Sequence, residues 1–395
     1  MKQIFLKKNQ ERRLLAGHQW VFSNELLEVD KTIATGEVVA LHTFAKKFLG
    51  IGFFNRNSLI AYRHLSWCEE PIERAFFVRR LRQAWQLRQE LYPESQTNAF
   101  RLVHGESDRL PGLVVDKFAD VFSIQTFSAG MEARLDEICA ALCELFSPRA
   151  IVLRNESELR KLEGLPQYSR LAFGALEGTV EMHDAGICYE VNVLHGHKTG
   201  FFLDQRENRK RIRPFVRGKR VLDVFTSDGG FALNALYAGA AEVVAIDASK
   251  EALRRAQRNA ECNGFKGLQV LEGDAFLVLE ELVKKGEVFD LVILDPPSLT
   301  KSKKHVPVAK KAYQKLNSLG MRLVRSGGGY MATASCSHHL AEAEFLQVLA
   351  QAASQARRSV KVLERATQAP DHPVLPAMPE TQYLKFALLY VQDEN

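Results

Sequence analysis

The chain has 395 residues, which is enough for two or three domains, because single cores rarely grow far beyond roughly 200 residues. Apolar residues make up 46% and charged residues 25%, values that are ordinary for a folded soluble protein. A net charge of +6 and a pI near 8.9 favour a polyanionic partner.

Two features argue against other classes of protein. Six cysteines occur with no C-x-x-C pair, a spacing that suits reduced thiols better than a disulfide framework or a zinc knuckle. The N-terminal stretch has no apolar run long enough for a signal peptide, and no segment approaches the ~20 apolar residues of a membrane span. We therefore expect a cytoplasmic protein with no membrane partner.

Positive charge is concentrated in three segments. Residues 206–220 contain eight Arg or Lys against one Glu, residues 301–315 contain six Lys and no acid, and residues 7–13 form a third cluster. A single run of this kind usually forms a solvated surface. Three such runs, placed around the segment that carries the candidate catalytic residues, favour contact with phosphate groups instead.

The first 72 residues contain short β-like runs divided by turn residues. The runs "TGEVVALHT", "KFLGIGFFN" and "SLIAYRHL" alternate apolar and polar positions and are rich in β-branched or aromatic side chains. This pattern predicts a small β-barrel. Such a barrel can bind RNA through a basic and aromatic face, or it can serve only as a dimerisation or capping module.

Residues 73–190 follow a different pattern. The stretch "IERAFFVRRLRQAWQLRQEL" has apolar residues at helical spacing, and "EARLDEICAALCELF" predicts a second helix. Between them, "FRLVHGESDRLPGLVVDKFADVFSIQTFS" is typical of a hairpin with its turn at "LPGL". We therefore expect a central α+β domain.

From residue 191 onward, strands alternate with helices. Five strands are predicted, in "KRVLDVF", "EVVAIDA", "LQVLEGD", "FDLVILD" and "GGGYMATASC". The alternation predicts an α/β, Rossmann-like domain over residues 191–395, with a mostly parallel sheet and helices on both faces. In such sheets, ligands bind outside the carboxyl ends of the strands.

Four successive strands are predicted to end in an aspartate. These residues are Asp223, Asp247, Asp274 and Asp295, and the fifth strand ends in Cys336. A carboxylate in a cleft is costly unless a partner binds it, so the recurrence indicates a ligand rich in hydroxyl and amine donors. S-adenosylmethionine supplies such donors.

The first three strand ends define a predicted cofactor site. Asp223 is expected near the cationic amino end of the methionine part, and Asp247 is placed to accept both ribose hydroxyls. Asp274 can take the adenine amino group, with Phe225 or Phe276 against the ring. A glycine-containing turn lets the backbone approach the ligand. The predicted cofactor residues here are Asp223, Phe225, Ser227, Gly229, Gly230, Asp247, Ala248, Asp274 and Ala275.

A nicotinamide cofactor is the competing interpretation. The turn "DVFTSDGGFAL" is not G-x-G-x-x-G, and an Asp on the first strand would face the pyrophosphate. Repulsion there favours the sulfonium ligand. As an alternative, the carboxylates could serve only as helix caps. Capping accounts for one or two of them but hardly for an aspartate at the end of four successive strands.

Cys336 can be a core filler, a metal ligand or a nucleophile. A cysteine is most often a small core residue, but this one ends the strand next to that of Asp295. A zinc site is disfavoured, because His338 and His339 are adjacent in sequence and no other Cys/His cluster supplies the remaining ligands. We therefore expect no metal, favour a nucleophilic role and place both histidines on the surface.

The expected chemistry follows from the weak nucleophilicity of carbon 5 of a pyrimidine. A thiolate that adds to carbon 6 turns the ring into an enamine, which can attack a sulfonium methyl group. Asp295, protonated or hydrogen-bonded to N3 of cytosine, would assist the addition. The segment "DPPSL" resembles the [DNS]PP[YF] signature of methyltransferases that act on exocyclic amino groups, but Ser298 stands where their stacking aromatic residue would be.

The chain as a whole resembles a known family. The segments "HKTGFFLDQRENR" (197–209), "VLDVFTSDGGFAL", "VVAIDAS", "DPPSLTKSK", "ASCSHH" and "APDHPVLPAMPETQYLKFALLYV" look like the bacterial large-subunit ribosomal RNA cytosine-5 methyltransferases of the RlmI (YccW) type. The stretch "RLVHGESDRLPGLVVDKF" is also characteristic of that family, and "GIGFFNRNSLIAYRHLS" is similar to its N-terminal PUA domain. The resemblance covers nearly the full length.

The resemblance implies a domain organisation and a partner. It implies a PUA domain at residues 1–72, a central RNA-binding or linker domain at 73–190 and a class I S-adenosylmethionine-dependent methyltransferase domain at 191–395. The implied partner is 23S ribosomal RNA. PUA-containing relatives also suggest a homodimer.

The resemblance also implies roles for single residues. Cys336 would be the covalent nucleophile with Asp295 as its partner, and Gln205 and Arg206 would close over the cofactor or the target. The wider group often has a second cysteine after the "DPP" motif to release product. Ser298 stands there instead, so the base that removes the carbon-5 proton is not assigned.

Two other functions stay open at this point. A related enzyme could modify another base, such as guanine at N7, a reaction that needs no thiol. A non-catalytic RNA-binding or ribosome-assembly factor would keep the N-terminal barrel and a vestigial Rossmann domain. The first turn also departs from the family, because "TSDGG" replaces the usual "YTGG" and leaves the charge of Asp228 unexplained.

Overall fold

The computed structural model describes residues 1–196, 198–300 and 302–394, which form two compact units. The first unit contains residues 1–185, 191–203 and 370–381, and the second contains residues 186–190, 204–369 and 382–395. Each unit is thus built from chain segments that are not contiguous in sequence.

An N-terminal five-stranded sheet opens the first unit. Its elements are β1 (Lys2–Phe5), α1 (Arg12–Leu15), β2 (Trp20–Phe22), β3 (Val38–His42), β4 (Phe48–Phe54) and β5 (Ile60–Ser66). The strand order is β1-β3-β4-β5-β2, and only the β1–β3 pair is parallel. Gly52 on β4 is required by close packing, because a Cβ there would lie 2.6 Å from the ring of Tyr62 on β5. The predicted β-rich character of this segment is confirmed.

A second sheet follows in the same unit. Its elements are α2 (Arg74–Leu91), β6 (Ala99–His104), β7 (Leu113–Phe118), β8 (Val121–Thr126), α3 (Ala129–Glu132), α4 (Leu135–Phe146), β9 (Ala150–Asn155) and β10 (Tyr168–Gly174). The strand order is β10-β9-β8-β7-β6, and β8 and β9 are parallel. The predicted helices and the β6–β7 hairpin around "LPGL" are confirmed, and β8 adds a third strand to that hairpin.

The two sheets of the first unit share one apolar core. Ile51 and Phe53 of β4 belong to the same buried cluster as Phe77 of α2 and Val115 of β7. A continuous core of this kind makes two sheets one folding unit, because neither can lose its partner without exposing apolar surface.

The second unit is an α/β structure around a seven-stranded sheet. β11 (Val180–Asp184) lies in the first unit, and β12 (Ile187–Val191) begins in the second. The further elements of the second unit are α5 (Arg206–Arg211), β13 (Arg220–Val224), α6 (Gly230–Tyr237), β14 (Glu242–Asp247), α7 (Lys250–Cys262), β15 (Leu268–Glu272), α8 (Ala275–Lys285), β16 (Leu291–Leu294), α9 (Val306–Leu323), β17 (Gly329–Ser335), α10 (Glu342–Ala356), β18 (Arg358–Ala366) and β19 (Lys385–Asp393). The strand order is β15-β14-β13-β16-β17-β19-β18.

The first five strands of this order are parallel, and β19 runs antiparallel to both β17 and β18. The five predicted strands are confirmed, whereas β18 and β19 were not among them. Leu222 and Val224 of β13 pack into one apolar cluster, and Val221 packs into another with residues of α6. Alternate side chains therefore serve opposite faces, as predicted for a sheet covered on both sides.

Short 3₁₀ turns complete the described structure at Ser23–Glu25, Gly105–Asp108, Glu158–Glu163, Leu203–Gln205, Arg213–Phe215, Lys303–His305 and Pro379–Thr381. None of the helices within the described ranges combines the length and apolar character needed to span a bilayer.

Candidate active site

Five parallel strands end side by side at one edge of the seven-stranded sheet. In the spatial order β15, β14, β13, β16 and β17, they carry Asp274, Asp247, Asp223, Asp295 and Cys336. Two of these residues belong to their strands, and the other three follow a strand end by one or two positions. The structure thus places all five predicted residues at the carboxyl edge, where ligands bind in sheets of this type.

Asp223 is buried on β13. Its Oδ2 atom accepts hydrogen bonds from the Thr226 hydroxyl at 2.6 Å and from the Ala232 backbone N–H at 2.9 Å. Its Oδ1 atom is buried and has no hydrogen-bond partner among the described residues. Burial raises the pKa of Asp223 to about 6. An acceptor left open in this way requires a donor from elsewhere.

The loop between β13 and α6 is sharply bent. Phe225, Ser227 and Gly229 have φ values of 65°, 51° and 84°, a region that only glycine adopts without cost. The loop is held by the end of β14, because the Ser227 N–H donates to Oδ2 of Asp247 at 2.9 Å. Two non-glycine residues in the left-handed region are a feature of functional turns.

Gly230, the first residue of α6, makes room for a side chain of the protein. A Cβ at this position would lie 2.5 Å from Nε of Arg209. The sequence suggested that this glycine makes room for the ligand, but the guanidinium group of Arg209 occupies the space. The positive charge of Arg209 opposes the rise in pKa of both Asp223 and Asp295.

Asp247 and Asp274 accept hydrogen bonds from nearby backbone groups. Oδ1 of Asp247 accepts from the Ser249 N–H at 2.8 Å. Asp274 is the N-cap of α8 and accepts from two N–H groups of that helix at 2.9 and 3.2 Å. Helix capping therefore accounts for Asp274. Of the neighbouring predicted residues, Ala248 is exposed and Ala275 is buried.

Asp228, whose charge the sequence left unexplained, forms a buried ion pair. Its Oδ1 atom accepts from Nε of Arg255 at 2.7 Å, and both side chains are 4% exposed. Its carbonyl oxygen accepts from the Asn259 side chain at 3.2 Å. Helix α7 therefore anchors the loop after β13.

Asp295 directly follows β16 in a setting that favours the neutral carboxyl group. Burial is the main cause that raises its pKa to about 7, and the negative charge of Asp204 adds to the rise. Nε2 of Gln205 donates to Oδ1 of Asp295 at 2.8 Å, and Oε1 of Gln205 accepts from Asn208 at 2.6 Å. Near neutral pH, a large fraction of this carboxyl group is protonated and can donate a hydrogen bond.

Cys336 directly follows β17 and is half-buried. Its Sγ atom lies 3.9 Å from the carbonyl oxygen of Pro296, so the thiol lies against the turn that begins at Asp295. His338 and His339 are exposed, as predicted. A half-buried thiol at a strand end, beside a second titratable group, is a typical position for a reactive cysteine.

A row of hydroxyl groups joins this strand end to the "DPPS" turn. The Ser337 hydroxyl lies 3.0 Å from the Tyr313 hydroxyl and 3.1 Å from that of Ser298. The Ser335 hydroxyl donates to Tyr313 at 2.9 Å. Ser298, which stands in place of an aromatic residue or a second cysteine, therefore supports the end of β17.

Several residues of the basic run 206–220 are buried or paired with acidic side chains of the protein. Arg206 and Arg209 are buried. Arg211 pairs with Glu364 at 2.5 Å, and Arg220 pairs with two glutamates at 3.1 and 2.7 Å. Much of this charge therefore stabilises the fold and is not available for the phosphate contact that the sequence suggested.

The run 301–315 is partly paired as well. Lys310 and Lys315 pair with glutamates at 2.6 and 2.7 Å. Lys301 lies outside the described residues, and so does His197 at the start of the "HKTGFF" segment. Within the described ranges, no group of three or more His, Cys, Asp or Glu side chains is arranged to hold a metal ion.

Four residues that shape this edge were not singled out as site residues from the sequence: Asp204, Arg209, Arg255 and Lys385. Three of them lie within the segments "LDQRENR" and "YLK", so the family resemblance contained the signal without indicating their roles. Arg255 lies on the buried face of α7, which helical spacing alone would place towards the sheet.

Comparison with known families and structures defines the class of protein. Residues 4–67 match the PUA-like domain, and residues 168–388, more than half of the chain, match the S-adenosylmethionine-dependent methyltransferase family. A solved structure of a candidate SAM-dependent methyltransferase from Streptococcus mutans has 20% identity and a TM-score of 0.84, over 99% of this chain and 100% of that chain. A candidate methyltransferase solved with SAH has 21% identity and a TM-score of 0.85 over the same shares. The class is therefore an S-adenosylmethionine-dependent methyltransferase.

Curated relatives identify the family within that class. "Ribosomal RNA large subunit methyltransferase I" of Vibrio cholerae is 38% identical over 387 residues, 97% of each chain, and its namesake from Aeromonas hydrophila has the same identity and coverage. The chain belongs to the ribosomal RNA large subunit methyltransferase I family. The predicted PUA-like domain, the methyltransferase fold and S-adenosylmethionine as the cofactor are thereby confirmed.

Proposed function

We propose that the protein methylates carbon 5 of a cytosine in 23S ribosomal RNA, with Cys336 as a covalent nucleophile. The observation that supports this most directly is the position of the thiol, whose sulfur lies 3.9 Å from the carbonyl oxygen of the turn that begins at Asp295. A nucleophile and a carboxyl group that can donate a proton are the two groups that addition to a pyrimidine requires.

The cofactor half of the site fits S-adenosylmethionine. The open Oδ1 atom of Asp223 is a buried acceptor that suits the cationic amino group of the methionine part. Asp247 would accept the ribose hydroxyls, and Asp274 with Ala275 would receive the adenine. The bent loop at Phe225, Ser227 and Gly229 would carry the backbone past the ligand. When bound, the cofactor supplies an electrophilic methyl group.

The residues of this chain would carry the remaining steps. The sulfur of Cys336 bonds to carbon 6 of cytosine while the Asp295 carboxyl group donates a hydrogen bond to N3. The electron pair released to carbon 5 would bond to the methyl carbon that S-adenosylmethionine supplies, and the sulfonium sulfur would keep the electron pair of the broken S–CH3 bond and leave as a neutral thioether. Loss of the carbon-5 proton then restores the double bond, and the sulfur leaves as a thiolate. Gln205 orients Asp295 through its hydrogen bond to Oδ1. Arg206 follows Gln205 in sequence and is the first residue of α5.

The assignment of the RNA substrate rests on the relatives and the N-terminal domain. The curated relatives are named as methyltransferases of large-subunit ribosomal RNA, and residues 4–67 match a PUA-like domain. We propose that residues 1–72 bind RNA, that residues 73–190 contribute to that binding, and that residues 191–395 carry the methyl transfer. A homodimer is part of the same proposal, and sedimentation of the full chain tests it.

The decisive experiment is a covalent trap. The full chain is incubated with S-adenosylmethionine and a 23S rRNA fragment in which 5-fluorocytosine replaces cytosine. Because fluorine at carbon 5 cannot leave as a proton would, the adduct should persist and map to Cys336. Cys336→Ala should give no adduct and no methyl transfer, whereas Cys262→Ala, at an exposed thiol, should behave like the wild type.

The opposite outcomes point to the other functions. Methyl transfer by Cys336→Ala at the wild-type rate, without any adduct, would indicate a base that needs no thiol, such as guanine at N7. Failure of the folded wild type to bind S-adenosylmethionine by calorimetry would indicate a ribosome-assembly factor.

Bisulfite mapping of 23S rRNA from cells that lack the protein should show one missing methylated cytosine.

A further inference from the structure

Lys385 is a buried cation next to the end of β17. It begins β19 and is paired in register with Ser335, the residue before Cys336. The residue is buried, with 8% of its surface exposed. Nζ donates to the carbonyl oxygen of Ser337 at 2.6 Å and to that of Tyr383 at 2.7 Å. Ser335 and Ser337 flank Cys336. The Lys385 side chain therefore extends along the strand end, from the level of Ser335 to the carbonyl oxygen of Ser337.

The hydrogen-bond partners of Lys385 among the described residues are two carbonyl oxygens and no carboxylate, although a buried ammonium group usually pairs with one. The charge that acts on it is that of the Cys336 thiolate, which raises the pKa of Lys385. Burial is the larger cause and lowers this pKa to about 8. The amine and the ammonium forms are therefore both accessible close to neutral pH.

The second partner of Lys385 connects it with the other half of the reacting site. Tyr383 supplies the carbonyl oxygen to Nζ, and its hydroxyl donates to Oδ2 of Asp204 at 2.7 Å. After burial, the negative charge of Asp204 is the next cause that raises the pKa of Asp295. The segments "LDQR" and "YLK" are thus joined by the Tyr383–Asp204 hydrogen bond, next to Cys336 and Asp295. The proposed chemistry alone does not explain either segment.

We propose that Lys385 is a positioning residue whose ammonium group holds Cys336 as a thiolate and aims it at the target base. The inference deepens the proposed function and rests on Cys336 as its nucleophile. In the forward step, the Cys336 thiolate, paired with the Lys385 ammonium group, uses its electron pair to form the bond to carbon 6. When that bond breaks, its electron pair returns to sulfur, and the thiolate is again paired with the ammonium group.

Other titratable groups also face this thiol. Tyr313 from α9 is hydrogen-bonded to Ser335 and Ser337. Burial is the main cause that raises the pKa of Tyr313, and the thiolate charge of Cys336 adds a smaller rise. Asp295 lies on the neighbouring strand end, and its carboxyl group would oppose a thiolate only in the ionised form. Among these groups, Lys385 is the one that supplies positive charge.

The test is the pH dependence of Cys336 alkylation. The full chain is treated with iodoacetamide from pH 5 to pH 10, and the rate at Cys336 is measured by peptide mass spectrometry, with the exposed Cys262 as an internal reference. Lys385→Met should raise the midpoint for Cys336 by about one pH unit and reduce its rate at pH 7 roughly tenfold. Lys385→Arg should keep the midpoint within about half a unit. Lys361→Met, at an exposed lysine of β18, is the matched control.

A reciprocal measurement on folded protein covers the case in which Lys385→Met does not fold. The titration of the Lys385 side chain is followed by NMR in the wild type and in Cys336→Ala. Removal of the thiol should lower the pKa of Lys385, because the thiolate charge is what raises it. An unchanged lysine titration, or an unchanged alkylation midpoint in folded Lys385→Met, would overturn the inference.

The two proposals fail in different ways. An alkylation shift in Lys385→Met without any 5-fluorocytosine adduct in the wild type would support the lysine–thiol pair and contradict the covalent mechanism. An adduct in the wild type, together with unchanged alkylation and methyl transfer in Lys385→Met, would support the mechanism and contradict the role of Lys385.

Discussion

The two sides of the sheet edge are held in different ways. On the cofactor side, at the ends of β13, β14 and β15, the carboxylates accept hydrogen bonds mostly from groups a few residues away in sequence. Asp223 accepts from Thr226, Asp247 accepts from Ser249, and Asp274 caps the helix that it precedes. The backbone geometry of each turn therefore positions its own carboxylate.

On the reaction side, at the ends of β16 and β17, the partners come from distant parts of the chain. Asp295 is held by Gln205, 90 positions earlier, and the strand end at Cys336 is held by Lys385, which bonds Ser337 across 48 positions. Short motifs can encode the cofactor side, whereas the reaction side exists only when the whole second unit has folded. We expect mutations on the two sides to separate binding from chemistry.

The largest expected effect tests a distant contact of the cofactor side, the buried ion pair between Arg255 and Asp228. Arg255→Ala leaves Asp228 buried without its partner, which should reduce the free energy of unfolding by about 3–5 kcal/mol. Urea denaturation followed by circular dichroism measures the loss. Arg254→Ala, at an exposed position of the same helix, should change it by less than about 0.5 kcal/mol. Similar stabilities of the two variants would show that the loop does not depend on α7.

The second prediction separates the two sides directly. Asp223→Asn removes the negative charge at the open acceptor, so the affinity for S-adenosylmethionine should fall roughly 30- to 100-fold, or about 2–3 kcal/mol. Calorimetry on the folded variant measures the change. Cys336→Ala, on the reaction side, should bind within about twofold of the wild type. Equal affinities for Asp223→Asn and the wild type would refute the assigned role of Asp223.

The same division explains what the sequence could predict. Strand ends with an aspartate were visible because each lies at the end of a periodic apolar run. The anchors of the reaction side were not, because no local pattern indicates that Gln205 contacts Asp295 or that Lys385 contacts Ser337. The ion pair of Asp228 with Arg255 was hidden for the same reason, since pairing of charged residues depends on packing between elements.

The third prediction concerns the pH dependence of stability on the reaction side. Because the pKa of Asp295 is raised to about 7 in the folded state, the folded protein binds the proton more tightly than the unfolded chain does. The contribution of Asp295 to stability therefore falls as the pH rises from about 4 through 7. Asparagine does not titrate, so Asp295→Asn should gain about 2 kcal/mol relative to the wild type between pH 5 and pH 8.

Urea denaturation at both pH values measures this gain. Glu272→Gln, at the exposed end of β15, is the matched control and should show almost no relative gain. A constant difference between Asp295→Asn and the wild type across this range would mean that the carboxyl group is ionised throughout, which would remove it as a hydrogen-bond donor to N3.

The smallest expected effect tests how local the cofactor side is. The Ser249 hydroxyl caps α7 by accepting from the Ala252 N–H at 3.2 Å, and the Ser249 backbone N–H separately donates to Asp247. Ser249→Ala removes only the cap, so the free energy of unfolding should fall by about 1 kcal/mol, while Ser249→Asp restores it. Cofactor affinity should stay within about twofold in both variants, because the backbone donor is retained. A tenfold loss of affinity in Ser249→Ala, measured by calorimetry, would mean that the position of Asp247 depends on the whole of α7 and not on the turn that contains it.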